Sequence, residues 1–162
     1  MDFANASYDT PAFTLKGLRT WGRLVDCYDG DTMQVVLPFL GSQFKFTIRM
    51  YGIDTSEMKS KDAANKERAV KARTRVLEVA TKLCPFPPLK TRKEIQKHLA
   101  ANQTLVYVEC LEMDKYGRVL AKVYTSPEDT ECLSDMLVKE GLAYAYYGET
   151  KLTEKEQLEA LG

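Results

Sequence analysis

Apolar and polar residues alternate with a period of two along several short stretches of the chain. That period puts successive side chains on opposite faces of an extended strand. Phe44 to Tyr51 is the clearest case: Phe44, Phe46, Ile48 and Met50 fall on one face, and Lys45, Thr47, Arg49 and Tyr51 on the other. Thr32 to Leu37 alternates as well, with Met33, Val35 and Leu37 together. Gly17 to Cys27 suits a strand that runs into the turn Tyr28-Asp29-Gly30-Asp31, where Gly30 is expected to supply a positive φ. Pro38 to Gln43 reads as the next turn. Thr104 to Cys110 and Val119 to Tyr124 are two further strands, joined through the hairpin turn Asp114-Lys115-Tyr116-Gly117.

Between these runs the period lengthens to that of a helix. Ala69, Ala72, Val76, Ala80 and Leu83 share one side, with Lys66, Arg68, Lys71, Arg75 and Lys82 largely on the other. Asp62 is a good N-cap, and the prolines of Cys84-Pro85-Phe86-Pro87-Pro88 cannot continue the helix. A short basic helix is expected over Lys90 to Ala100. Leu133, Met136 and Leu137 mark another, closed by Gly141. Thr153-Glu154-Lys155-Glu156 is a capping box that predicts a last helix from Glu154 to Leu161. The fold class is α+β, a five-stranded antiparallel β-barrel with about three helices. Residues 1–16, without a period, read as a flexible leader, and residues 17–162 as one domain.

The strand lengths bring distant residues together. The second strand leaves the Asp29-Gly30 turn and the third runs back toward it over a similar number of residues. Gly52-Ile53-Asp54-Thr55-Ser56-Glu57 therefore emerges beside Asp31, with Arg49 just below.

Composition changes this picture little. The chain has 162 residues, 44% hydrophobic and 28% charged, with no net charge, so no global field draws it to a polyanion or a membrane. Charge is unevenly placed, however. Residues 59–97 hold twelve Lys and Arg against four Asp and Glu, and residues 126–162 hold nine acidic residues against three lysines. The four cysteines are far apart and His98 is the sole histidine, which disfavours zinc. With neither a secretory signal nor a membrane-length apolar run, the expectation is an intracellular, cytoplasmic protein with reduced thiols.

Clustered aspartates without His or Cys suit a hard cation, Ca²⁺ or Mg²⁺. Arginines beside such a site suit an anionic substrate, because guanidinium forks match phosphate oxygens. A further carboxylate able to take a proton from water completes a phosphodiester hydrolysis site. Asp29-Gly30-Asp31-Thr32, Ile48-Arg49 with Gly52-Ile53-Asp54-Thr55-Ser56-Glu57, and Asp114-Lys115-Tyr116-Gly117-Arg118-Val119-Leu120 resemble, in that order, the staphylococcal nuclease (thermonuclease) family. Leu137 to Ala143 is similar to a later helix of that family, and the resemblance runs from about Arg23 to Lys151.

The resemblance implies an OB-fold-type barrel and a Ca²⁺-dependent nuclease, with Ca²⁺ ahead of Mg²⁺. Such an enzyme acts on DNA and RNA, preferring single strands and leaving 3′-phosphate ends. It would place metal-binding carboxylates at Asp31 and Asp54, with the Thr55 carbonyl as a further ligand. Glu57 would be the general base, and Arg49 and Arg118 would hold the phosphate. Lys115 and Tyr116 would contact the nucleotide. One of Tyr144, Tyr146 and Tyr147 would pack near the base or sugar, with Tyr147 favoured. The expected protein is a monomer without membrane contact. Three features depart from the family pattern: Ser56 replaces a usual proline, residues 84–103 look inserted, and the net charge is neutral rather than basic. The competing expectation is a non-catalytic OB-fold module that binds nucleic acid or protein, although such a module has no need of all five charged residues together.

Overall fold

The computed structural model describes residues 2–147 together with Glu156 and Glu159. Five strands close into a barrel: β1 (Arg19–Cys27), β2 (Thr32–Phe39), β3 (Ser42–Met50), β5 (Leu105–Met113) and β6 (Val119–Tyr124), in the order β1-β2-β3-β6-β5. Two-residue strands β4 (Ile53–Asp54) and β7 (Tyr144–Ala145) pair with each other outside it. The helices are α1 (Ala63–Thr81), α2 (Arg92–Ala101) and α3 (Leu133–Lys139). The helix expected over 154–161 lies outside the described residues apart from Glu156 and Glu159, which are both helical.

The barrel is mixed rather than wholly antiparallel. Four of its pairings are antiparallel, but β3 and β6 run parallel through Ile48↔Val119 and Met50↔Ala121. A ring of alternating directions closes only with an even number of strands, so a five-stranded barrel must contain one parallel pair.

The two-residue periodicity is what fills the interior. Leu24, Met33, Val35, Leu37, Ile48 and Val108 are each at most 1% exposed, and each such side chain contributes about 1.5–3 kcal/mol by leaving water. Alternation fades toward the β2–β3 hairpin, where Phe44 is 48% exposed. Pro38 and Gln43 belong to the strands there, and the turn itself is only Leu40-Gly41. At the other end of the chain, Leu15 is buried in the core, so ordered packing begins before residue 17.

Asp62 caps α1 as expected, its Oδ1 accepting from the Asn65 N–H at 2.9 Å. The helix stops at Lys82, in the left-handed region at φ 60°, ahead of the prolines, and Leu83 is left exposed. Val76, Leu77 and Ala80 turn into the core, and the buried Arg73 reaches the carbonyls of Tyr28 and Lys90. Helix α2, within residues 84–103, is capped by Thr91 and laid against β1. Arg92 and Gln96 of α2 hold the buried carboxylate of Asp26, Gln96 at 2.9 Å. Helix α3 packs on β6 and ends as expected, with Gly141 at φ 72° just past the cap residue Glu140.

Candidate active site

The turn between β1 and β2 is built by hydrogen bonds from the Tyr28 and Asp29 N–H groups to the Thr32 carbonyl. Gly30 is needed there for a different reason from the one expected. Its φ is not positive; a Cβ would stand 2.7 Å from Ala72 Cβ and 3.0 Å from Thr55 Cγ2. Only a residue without a side chain lets the turn lie against α1 and against the segment that follows β4.

The return of β3 delivers its end to this turn. Thr32 pairs with Arg49, and the Met50 N–H donates to the Asp31 carbonyl at 2.8 Å. Two residues on, β4 sets Asp54 and Thr55 beside Asp31, whose Oδ2 accepts from the Thr55 N–H at 3.1 Å. Asp31 and Asp54 are 5% and 3% exposed. Arg49, itself 6% exposed, lies between them: Nη1 is 3.3 Å from Asp31 Oδ2 and Nη2 is 3.1 Å from Asp54 Oδ1. Its Nη1 also donates to the Met50 carbonyl at 3.1 Å. Arg49 is therefore a buried counter-ion, not an exposed strand residue.

A third carboxylate, Asp29, accepts from the Asp31 N–H through Oδ1 at 3.1 Å. Burial and the negative charge of Asp31 push the Asp29 carboxyl up to about 8, far above the usual carboxylate range. Burial works against ionisation of Asp31 too. The hydrogen bond with Asp29, the charge of Arg49 and the Thr32 hydroxyl outweigh it and hold Asp31 below the usual carboxylate range. The two carboxyls of the turn are thus pushed in opposite directions.

Asp31, Asp54, Arg49, Glu57 and Arg118 line one cleft of about 300 Å³. Glu57 is exposed at its edge, while the preceding Ser56, the departure from the family proline, is 1% exposed with its Oγ unpartnered. Arg49 and Arg118 also line an adjoining cleft of about 480 Å³ with Lys115, Tyr116 and Tyr147. The hairpin turn before β6 aims Arg118. Asp114 accepts the N–H groups of Tyr116 and Arg118 at 2.9 Å through Oδ1 and the Arg118 Nε at 2.6 Å through Oδ2. The Arg118 guanidinium and the Lys115 ammonium both approach the Tyr116 ring. Partial burial would raise Asp114, but these backbone and guanidinium hydrogen bonds win and hold it below its ordinary value.

The three tyrosines separate. Tyr147 is 66% exposed, lies over Gly52 and meets Tyr51 edge-on at 5.6 Å, open to the second cleft. Tyr146 lines that cleft too. Tyr144 instead pairs with Asp54 across β4–β7, and its hydroxyl donates to Asp54 Oδ2 at 2.6 Å. The sequence marks Tyr144 only as a base-packing candidate and carries no sign of a carboxylate partner ninety residues away. Asp29 was legible only as part of a turn.

Residues 47–161 match the family model described as Staphylococcal nuclease homologue. The chain belongs to that family. The match covers most of the chain, and it begins inside β3, so Asp31 lies upstream of it while Arg49, Asp54, Glu57 and Arg118 lie within. No curated protein matches the chain. Membership supports a nuclease-like or nucleic-acid-related role on an OB-type barrel. No described helix is long and apolar enough to cross a membrane.

A divalent cation, which the family implies, has a restricted donor set here. Among the described residues no group of three or more His, Cys, Asp or Glu side chains could hold a metal. Two buried carboxylates do share a single guanidinium, with Asp29 beside them. An all-oxygen pair short of positive charge fits a hard cation and gives nothing to a soft one.

Proposed function

We propose that this protein is a divalent-metal-dependent phosphodiesterase that hydrolyses DNA and RNA, with Ca²⁺ as the cation. The observation that supports it is the shared cleft: two buried carboxylates, an exposed carboxylate and two arginines, contributed by four separate segments, line about 300 Å³. A barrel that only bound nucleic acid would have no reason to bury Asp31 and Asp54 against one another.

Asp31 and Asp54 would hold the ion, with the Thr55 carbonyl as a further oxygen. When bound, the cation neutralises phosphate charge and polarises the scissile phosphoryl group. Glu57, free of burial at the cleft edge, takes the proton of the attacking water. Arg49 and Arg118 stand where the two clefts meet and bind the phosphate oxygens more strongly as charge builds in the transition state. Lys115, Tyr116 and Tyr147 line the second cleft and receive the adjoining nucleotide, single strands being preferred because their bases are free to enter.

Cleavage of single-stranded DNA and RNA, assayed with Ca²⁺, with Mg²⁺ and with chelator, tests the reading. Metal-dependent products ending in 3′-phosphate are expected, strongest with Ca²⁺. Binding without cleavage under every condition would assign the chain to the non-catalytic OB-fold modules instead.

A further inference from the structure

Residues 84–103 build a groove on the barrel wall that the active-site reading does not use. Helix α2 lies along β1, and between it and the outer face of the sheet opens a groove of about 650 Å³. Register sets its floor. Trp21 stands opposite Tyr107, and Arg23 opposite both Leu105 and Val36, all on the outward face. Trp21 meets the Tyr107 ring edge-on at 5.6 Å and stays 43% exposed, and Leu105 is 45% exposed. The side chains of Gln43, Gln96 and Gln103 line the same groove. Gln43 and Gln103 offer amide donors and acceptors beside an aromatic face, and the Gln96 Nε2 already donates to Asp26.

The rim is basic. Lys45 is exposed opposite Val36, and the exposed Lys93 and Lys97 flank Gln96 on α2. Arg23 crosses the groove to donate to the Leu99 and Ala100 carbonyls at 3.1 and 3.0 Å. Of the nearby acids, Glu109 is paired with Arg19 and Asp26 with Arg92, while Glu94 of α2 accepts from the Lys90 N–H. A cationic rim around an exposed indole and amides complements a flexible polyanion with stackable rings.

We propose that this groove is a second contact site for single-stranded nucleic acid, in which a base stacks on Trp21 while Lys45, Lys93 and Lys97 face the phosphates. The inference rests on nucleic acid being the ligand of this protein, and it deepens that reading by giving α2 a task. Base stacking on an aromatic side chain is sequence-tolerant, because every base has a π-face. The site would therefore hold strand length rather than read sequence.

Trp21 is the sole tryptophan, so its fluorescence reports this groove and not the catalytic cleft. The test titrates the full chain, in chelator, with an oligo-dT of about 16 nucleotides, the upper end of what one OB barrel covers. Saturable change in Trp21 fluorescence is expected. Trp21→Ala, followed by anisotropy of a labelled oligonucleotide, should weaken binding about tenfold. Lys45→Ala with Lys97→Ala should flatten the log-log salt dependence by about 1.4. Cleavage of a dinucleotide, too short to reach the groove, should be unaffected by all three substitutions. Unchanged fluorescence at saturating oligonucleotide would overturn the proposal and leave the groove to a protein partner. A fluorescence change without metal-dependent cleavage would overturn the hydrolytic reading and keep the groove; cleavage without a fluorescence change would do the reverse.

Discussion

The Tyr144 hydroxyl donates to Asp54 Oδ2 at 2.6 Å, and this bond exists because β7 pairs with β4 in the register Asp54↔Tyr144. Arg49 holds the other oxygen of the same carboxylate. Each oxygen of this 3%-exposed carboxylate thus has a side-chain partner. Tyr144→Phe leaves Oδ2 with one partner fewer in a buried setting, which costs about 1–3 kcal/mol of folding stability. Urea unfolding in chelator measures it. Where Asp54 holds a cation, the same change should lower apparent Ca²⁺ affinity by about 10–100-fold, as for other groups that orient ligating carboxylates; calorimetric titration checks this directly.

Arg49 is the shared counter-ion of two buried carboxylates. Arg49→Met preserves length and removes the charge, leaving Asp31 and Asp54 uncompensated. A loss of about 3–5 kcal/mol is expected in chelator. Added Ca²⁺ should restore part of it, because a cation at the carboxylates replaces the missing charge, and its binding to the folded state is linked to stability. If unfolding in chelator shifts by less than about 1 kcal/mol, the guanidinium is not the counter-ion of this pair.

Glu57 differs from its neighbours in being exposed. Glu57→Gln should therefore leave stability within about 0.5 kcal/mol of the parent, while turnover falls by about 10²–10⁴-fold, the range for a lost general base. Oligonucleotide affinity in chelator should stay the same. Full turnover in the variant would remove Glu57 from the chemistry.

Asp114 carries the pH dependence of the hairpin turn that aims Arg118. Its folded value lies below that of the unfolded chain, near 3.9, so its ionised form stabilises the fold. That contribution is complete above the unfolded value and is lost as pH falls through the folded one. Asp114→Asn keeps the turn-forming oxygen but not the charge. The variant should be about 1 kcal/mol less stable than the parent at neutral pH, and the two should converge in strong acid. A gap that persists or grows on acidification would contradict this sign.

Much of this architecture was legible along the chain because short-range physics writes it there. Period-two alternation marked the barrel strands from Thr32 and Phe44, Asp62 announced the start of α1, and Gly141 the end of α3. The convergence of Asp31 with Arg49, Asp54 and Glu57 followed from two strands of similar length folding back at one turn. The parallel β3–β6 closure was not legible, since alternation reports faces and carries no direction. Gly30 was misread because the sequence shows a glycine in a turn without showing Ala72 packed above it.

The residue types and order along the chain by themselves determined which carboxylates and guanidiniums are available, and that one end of a barrel would gather them. Tertiary packing decided what each one does there. Arg49 became a buried bridge, the Asp29 carboxyl was pushed upward beside Asp31, and Tyr144 took Asp54 while Tyr147 stayed exposed at the second cleft. The physical reason is that charge state and hydrogen bonding depend on desolvation and on partners far away in sequence. Burial that removes water from Asp29, Asp31 and Asp54 arises only when β4, β7 and α1 close over the turn.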